Sequence, residues 1–378
     1  MRVAFGVSAL AAGMQQGGID GIGSVARELL GRLQSSADVE VLPYEFAHIV
    51  SGEIPGTLAV GSFQRQALCS LFAPCSFPVM CRALHGRVDL VHATDHLIPR
   101  LRGTPVLATL MDAIPLSHPK WVAYRFRALK NVAWQRSAHW ADHVLTISEF
   151  SRREIARHFR IPESRISVIP LGVDERWFNV PSDEDWQRVR AAYALPDQYF
   201  LAVGTLQPRK NLECLLQAHE ALPEDVRHHF PLLIVGRDGW GCEALVSRLR
   251  AGTQPHVRWL NYVPRPDLPV LLSRATALLF PSLHEGFGLP VLEGFAAGTP
   301  VVAANTTSIP EVAGDAAILA DPLDWMAWRD QMLKMTGSPD GIEERIRLGR
   351  QRARLFSWSN TVRELTRLYV QVAGSHTG

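Results

Sequence analysis

The chain reads as an α/β protein of two doubly wound domains, each a parallel sheet with helices on both faces. Three observations predict this. At 378 residues the chain is long for one domain and typical of two. Short apolar runs of strand type alternate with helical patterns along the chain, the order that builds a parallel sheet through crossover helices. Glycine-rich turns follow several of the predicted strands and lead directly into helices.

The bulk composition narrows the class. Hydrophobic residues make up 47% and charged residues 20%, which suits a soluble globular protein and argues against disorder. No apolar run approaches the roughly 18 residues that a membrane-spanning helix needs. The chain enters a strand at Arg2-Val3-Ala4-Phe5-Gly6-Val7 without the charged-then-apolar layout of a signal peptide. Cys69, Cys75, Cys81, Cys214 and Cys242 are odd in number and lack C-x-x-C spacing, which points to a reducing, cytoplasmic setting and to no zinc site. A formal net charge of +2 gives no reason to expect nucleic acid.

The first domain is expected over 1–175. After the opening strand, the turn Gly17-Gly18-Ile19-Asp20-Gly21-Ile22-Gly23 runs into a helix. Further strands are predicted at 39–42, 88–92, 106–110 and 144–147. The segment Thr109-Leu110-Met111-Asp112-Ala113-Ile114-Pro115 closes a strand, where doubly wound sheets place ligands. An apolar stretch at 68–80 fits either core or a lipid-facing loop. Residues 121–139 read as a helix in which Arg125, Arg127, Lys130 and Arg136 are mixed with Trp121, Tyr124, Phe126 and Trp134. Such a face is either an ordinary solvated one or a surface for anionic lipid headgroups.

Residues 170–181 read as a linker, and the second domain is expected over 176–357. Asp183-Glu184-Asp185 follows Ser182 and suits a first helical turn, where acids complement the helix dipole, better than a metal site. The strand Tyr199–Gly204 leads to Gly204-Thr205-Leu206-Gln207-Pro208-Arg209-Lys210-Asn211, which places two adjacent cations at a strand end. Arginine binds phosphate bidentately and lysine as a point charge. Strands at 232–236, 257–260 and 301–303 follow the same pattern. A final helix over 358–373 is expected to pack back on the first domain.

The most informative stretch is Phe280-Pro281-Ser282-Leu283-His284-Glu285-Gly286-Phe287-Gly288-Leu289-Pro290-Val291-Leu292-Glu293. It leaves the apolar run 276–280, turns through two glycines and enters a helix around Pro290, where a missing N–H costs nothing. A helix start approached through glycines offers backbone N–H donors and partial positive charge to a phosphate. Glu285 and Glu293 bracket that entrance and can accept hydrogen bonds from sugar hydroxyls. Phosphate donors and hydroxyl acceptors in one place are the chemistry of a sugar nucleotide.

H-E-G-F-G-L-P-x-L-E, with its seven residues between glutamates, resembles the signature of glycosyltransferase family 4, the retaining enzymes of the GT-B fold. Gly21-Ile22-Gly23, Ile147-Ser148-Glu149-Phe150-Ser151, Val168–Asp174 and the Arg209-Lys210 loop resemble further family elements. The resemblance implies two Rossmann-like domains facing a cleft and hexose transfer with retained configuration. It implies donor contacts from Gly21, Gly23, Gly204, Thr205, Arg209, Lys210, Tyr262, Val263, Glu285, Gly286, Phe287, Gly288, Leu289 and Glu293. Glu285, Asp112, Arg209 and Lys210 would carry the chemistry: Glu285 on the donor sugar, the two cations on the leaving diphosphate, and Asp112 on an acceptor hydroxyl. Glu293 would take the ribose hydroxyls.

Two departures stand out. The family's histidine before Asp112 is replaced by Met111, with His92, His96 and His118 nearby in sequence, and the arginine many members carry after the glycine is Thr205. The expected partners are a GDP- or UDP-linked sugar and a saccharide or polyprenyl-diphosphate-linked acceptor, with peripheral contact to the inner membrane and no nucleic acid. No cofactor and no metal are called for, since fixed cations and a helix end supply the positive charge. The G-T-L-x-P-R-K-N loop resembles that of bacterial O-antigen and exopolysaccharide enzymes, which suggests mannose from GDP-mannose. A sugar-nucleotide epimerase or hydrolase of the same fold, or a non-catalytic nucleotide-sugar binder, would share the donor-side features.

Overall fold

The computed structural model describes every residue except 16, 17, 20, 73–75, 123–125, 338 and 376–378, and the side chains of 71 and 72 are also left aside. Gly17 and Asp20 of the first glycine turn, Cys75, and Tyr124 and Arg125 of the basic aromatic stretch therefore lie outside the described residues.

Two sheets form. The first holds β1 (Arg2–Gly6), β2 (Glu40–Glu45), β3 (Leu58–Ala59), β4 (Leu90–Ala93), β5 (Val106–Thr109), β6 (His143–Thr146) and β7 (Ile166–Val168), in the spatial order β3-β2-β1-β4-β5-β6-β7. The second holds β8 (Phe200–Val203), β9 (Leu232–Val235), β10 (Val257–Asn261), β11 (Ala277–Phe280), β12 (Val301–Ala304) and β13 (Ile318–Ala320), in the order β10-β9-β8-β11-β12-β13. All neighbouring strands pair in parallel. The second sheet follows the Rossmann order 3-2-1-4-5-6, and the first adds β7 beyond it. The α/β, doubly wound class expected from the sequence is the observed one.

The strand sequences explain themselves by burial. Leu232–Val235, Ala277–Phe280 and Val301–Ala304 are buried at every position, so they read as unbroken apolar runs and show no alternation. β3, β7 and β13 escape the sequence reading because they are edge strands of two or three residues, too short to form such a run.

The chain divides into two compact units. The first comprises Met1–Pro119, Tyr124–Gly172 and Trp358–Gly378, and the second Lys120–Ala123 and Val173–Ser357. In the first, Phe77, Met80, Val91, Ala108, Val144 and Ile155 belong to one core cluster. The apolar stretch near 68–80 thus serves this core through Phe77 and Met80, while Leu68 and Val79 stay exposed. The final helix, Trp358–Gly374, lies in this unit and buries Leu365, Leu368, Tyr369 and Val372. Its Tyr369 hydroxyl stands 2.7 Å from His92 Nδ1 on β4, and His92 Nε2 stands 2.7 Å from Thr109 Oγ1 on β5.

Two local readings resolve differently. The helix expected over 121–139 is a short 3-10 turn at Pro119–Trp121 and a separate helix at Arg127–Ala138. Phe126 sits between them at φ 59°, a left-handed conformation that a continuous α-helix cannot pass through. The acidic run opens the helix Asp183–Tyr193, where Ser182 Oγ accepts from the Asp185 N–H at 3.1 Å as an N-cap. Among the described residues, no helix is long and apolar enough to cross a membrane.

Candidate active site

The order of the second sheet reverses between β8 and β11, and doubly wound folds bind ligands beyond the C-terminal ends of strands at such a point. The two loops singled out in the sequence leave those two strands. The loop after β8 closes in a 3-10 turn at Pro208–Lys210 and the loop after β11 leads to the helix Leu289–Ala297.

Backbone contacts stitch the loops together. The Leu283 N–H donates to the Arg209 carbonyl at 2.7 Å and the Leu206 N–H to the Arg237 carbonyl at 2.9 Å. Asn211 Nδ2 donates to the Pro281 carbonyl at 3.2 Å and to the Pro322 carbonyl at 2.7 Å. Gly236 is required by space, because a Cβ there would overlap the Gly204 carbonyl. Gly288 caps the Leu289–Ala297 helix at φ 114°, a conformation closed to other residues without strain, and Pro290 stands in the first turn.

These loops bring three charged groups into contact. Glu285 Oε1 is 2.6 Å from Lys210 Nζ, and Glu285 Oε2 is 2.9 Å from Arg209 Nη1. The Arg209 guanidinium also donates to the His284 carbonyl at 3.2 Å and to Gln207 Oε1 at 3.1 Å. Lys210 Nζ lies 4.9 Å from the centroid of the Phe280 ring, so an aromatic face supports the ammonium. The three side chains are between 10% and 22% exposed, far from the regime of weak surface ion pairs.

Burial and charge set their ionisation. Burial alone would raise the Glu285 carboxyl, but the Arg209 and Lys210 charges outweigh it and hold it at about 2. Burial pushes Lys210 down to about 8; the Glu285 charge resists and the Arg209 charge adds to the fall. Both shifts run downward for different reasons: two neighbouring cations favour the charged carboxylate, while burial disfavours the charged ammonium. The cluster therefore carries a net positive charge. Glu293, half-buried on the helix, is pushed up to about 7 by burial against the pull of Lys210.

The remaining site residues fall in several places. Gly286, Phe287, Gly288 and Leu289 form the turn into the Leu289–Ala297 helix, with Phe287 buried. Gly204 and Thr205 follow β8, Thr205 exposed. Tyr262 and Val263 follow β10; Tyr262 is exposed under the Arg237 guanidinium, 4.4 Å from its ring centroid, and Val263 is buried.

Gly21, Gly23 and Asp112 belong to the first unit. Gly21 opens the helix Gly21–Gln34 and Gly23 is buried within its first turn. Asp112 Oδ1 accepts from the Ile114 N–H at 3.0 Å, which ties part of its carboxylate to the turn at Ile114–Ser117.

The histidines near Met111 differ from one another. His92 is fully buried in its contacts with Tyr369 and Thr109, and burial pushes it and His96 down to about 3. His118 is also lowered by burial, with Nδ1 2.9 Å from Ser117 Oγ. His92 is therefore a core group and not a base.

Sequence reasoning passed over Thr306, Thr307 and Ser308, whose hydroxyls meet the Glu285 turn. The available signal was their place at the C-terminal end of β12, the rim where ligand-facing residues of such a sheet gather.

The chain belongs to the glycosyltransferases. Residues 19–177 match the family described as Glycosyltransferase Family 4, and residues 185–354 match Glycosyl transferases group 1. Among its relatives is O-antigen chain mannosyltransferase B of Escherichia coli, 38% identical over 259 residues, covering 68% of this chain and 66% of that protein. The O-antigen chain mannosyltransferase RfbU of Salmonella typhimurium is 28% identical over 260 residues, covering 68% of this chain and 67% of that protein. The chain thus spans just under two thirds of the first relative's length, and it spans 28% of the serotype-specific mannosyltransferase WbdA of Escherichia coli, at 29% identity over 58% of this chain.

Solved structures share the fold over nearly the whole chain. Anabaena Alr3699/HepE in complex with UDP has a TM-score of 0.75 at 17% identity, covering 98% of this chain and 100% of that one. WaaG, a glycosyltransferase involved in lipopolysaccharide biosynthesis, has a TM-score of 0.68 at 14% identity, covering 98% and 99%. The fold is that of the GT-B glycosyltransferases.

Proposed function

We propose that the chain is a retaining hexosyltransferase that moves a hexose from a nucleoside-diphosphate sugar to a saccharide acceptor in bacterial surface polysaccharide synthesis. The observation that carries this reading is the Arg209–Lys210–Glu285 cluster, two cations and one carboxylate within 2.9 Å beside a helix start. In the proposed reaction the bond between the sugar's anomeric carbon and the diphosphate oxygen breaks. An acceptor hydroxyl oxygen bonds to that carbon from the same face, and the leaving diphosphate takes its proton.

Arg209, Lys210 and the backbone amides of Gly288 and Leu289 stabilise the charge that develops on the diphosphate. Glu285 accepts from donor-sugar hydroxyls and Glu293 from the ribose. Tyr262 and Val263 lie against the base, and Gly204, Thr205, Gly286 and Phe287 border the donor. In the first unit, the start of the helix at Gly21 and Gly23 faces ligand and Asp112 orients the acceptor hydroxyl.

The two O-antigen mannosyltransferase relatives favour mannose as the sugar and GDP-mannose as the donor. A polyprenyl-diphosphate-linked saccharide at the cytoplasmic face of the inner membrane is the acceptor in this reading. The helix Arg127–Ala138 supports a peripheral contact there, because Phe126, Leu129 and Val132 are exposed beside Arg127 and Lys130.

Incubation with radiolabelled GDP-mannose and a membrane fraction tests the proposal. Label in a lipid-linked product supports it; free mannose or an epimerised nucleotide sugar as sole product, or binding without turnover, overturns it. A thermal shift with UDP and none with GDP would replace the donor base. Failure to float with vesicles containing phosphatidylglycerol would remove the membrane contact.

A further inference from the structure

Three consecutive hydroxyl residues after β12 meet the backbone of the turn that carries Glu285. Thr306 Oγ1 donates to the Leu283 carbonyl at 3.4 Å, and the Glu285 N–H donates to Thr307 Oγ1 at 3.2 Å. Ser308 Oγ stands 2.9 Å from both the Glu285 and the Phe287 carbonyls, sharing one proton between them. The contacts fall on residues 283, 285 and 287, every second position of the turn. Ser308 is fully buried, so its hydroxyl has no water to turn to if these contacts are lost. Thr307 holds φ 59°, an uncommon state for a β-branched residue that persists only where its surroundings fix it.

We propose that Thr307 and Ser308 are positioning residues for sugar transfer, holding the peptide on both sides of Glu285 so that its carboxylate stays on the donor sugar. This rests on the reading of Glu285 as the sugar-binding carboxylate. Arg209 and Lys210 restrain that carboxylate only while no diphosphate competes for them, since a bound phosphate draws on the same donors. The hydroxyl contacts hold the Glu285 backbone whether or not the cations are engaged. They also fix the Phe287 carbonyl, one residue before the Gly288 cap, and so set the carboxylate and the helix start in one frame.

The test compares Ser308→Ala, Thr307→Val, Thr307→Ser and Glu285→Gln in the full chain. Transfer is measured from GDP-mannose or UDP-glucose, whichever the wild type uses, and affinity with GDP and UDP as probes. Ser308→Ala and Thr307→Val should lower kcat at least tenfold while the affinity for the nucleoside diphosphate stays within about twofold. Thr307→Ser, which keeps the acceptor oxygen, should restore most of kcat. Equal loss of nucleotide affinity and melting temperature in Ser308→Ala and Thr307→Val would show a merely structural role and overturn the inference. Full transfer by both variants while Glu285→Gln is inactive would overturn it as well. Full transfer by Glu285→Gln would instead sink the reading of Glu285 itself. If Ser308→Ala does not fold, the contrast between Thr307→Val and Thr307→Ser decides the matter.

Discussion

Lys210 Nζ lies 2.6 Å from Glu285 Oε1 although the two residues stand 75 positions apart, and Arg209 holds the other oxygen of the same carboxylate. A buried pair of this kind is hard to break from one side, because the surviving partner keeps its desolvation penalty. The two partners nevertheless predict opposite binding behaviour. Lys210→Met removes a phosphate-binding cation and should cost about 3–5 kcal/mol of stability together with nucleoside-diphosphate affinity. Glu285→Gln removes the carboxylate that Arg209 and Lys210 share, so GDP or UDP should bind as well as before or more tightly while sugar transfer is lost. Calorimetric titration with GDP and UDP beside a transfer assay checks both, and weaker nucleotide binding in Glu285→Gln would contradict the charge argument.

The pH dependence of donor binding should report Lys210. Its ammonium is pushed down to about 8 by burial, so it is charged below that pH and neutral above it. Nucleoside-diphosphate affinity should therefore fall as pH rises through 8 and beyond, the limb moving upward as the bound diphosphate favours the charged form. Arginine does not titrate in this range, so Lys210→Arg should flatten the limb. An unchanged limb in Lys210→Arg would assign it to another group.

Glu293 should separate stability from binding. Its folded carboxyl is raised to about 7 from an ordinary 4.5, so its favourable contribution is complete below about 4.5 and is lost as pH rises through 7. At pH 8 the native state must hold this carboxylate ionised in a poorly hydrated place. Glu293→Gln should then raise stability at pH 8 by roughly 1–3 kcal/mol and leave it unchanged at pH 4, given about 1.4 kcal/mol per pKa unit. The same substitution should weaken nucleotide binding, because a carboxylate accepts from both ribose hydroxyls and an amide does so less well. Thermal melts at the two pH values with a GDP titration make the comparison.

How much of this was legible in the residues depends on where they sit. The central strands β8, β9, β11 and β12 are buried on both faces, so their apolar runs announce them, and their C-terminal ends carry the glycine turns and charges of the site. The edge strands β3, β7 and β13, of two or three residues, have neither the length nor the double burial to leave such a mark. The Arg209–Lys210–Glu285 contact is a product of sheet order, since β8 and β11 are neighbours only because the topology reverses there. Types and spacing named those residues, but nothing local said that they would pair with one another before pairing with ligand. Thr307 and Ser308 were harder still. Hydroxyls near a strand end are ordinary, and their role appears only once the β11 and β12 loops lie side by side. The break at Phe126 had no local signal either, because phenylalanine carries no preference for a left-handed conformation.

The final helix is held to the first unit by a polar contact that a single substitution can isolate. His92 is fully buried and pushed down to about 3, so across the working range its ring is neutral, with one nitrogen donating and the other accepting. Tyr369 on the final helix and Thr109 on β5 satisfy the two nitrogens at 2.7 Å each. Tyr369→Phe keeps the ring volume and removes only the hydroxyl, leaving one buried nitrogen without its partner. That should cost about 1–3 kcal/mol, read as a lower urea midpoint at unchanged slope. Replacing both partners, as in His92→Leu with Tyr369→Phe, should cost less than the sum of the single losses, because the Tyr369 hydroxyl is no longer missed by an imidazole and only the buried Thr109 hydroxyl loses its partner. If the double variant is as destabilised as the sum of the singles, the hydroxyl and the imidazole contribute independently. The contact would then be a neighbour relation without coupling.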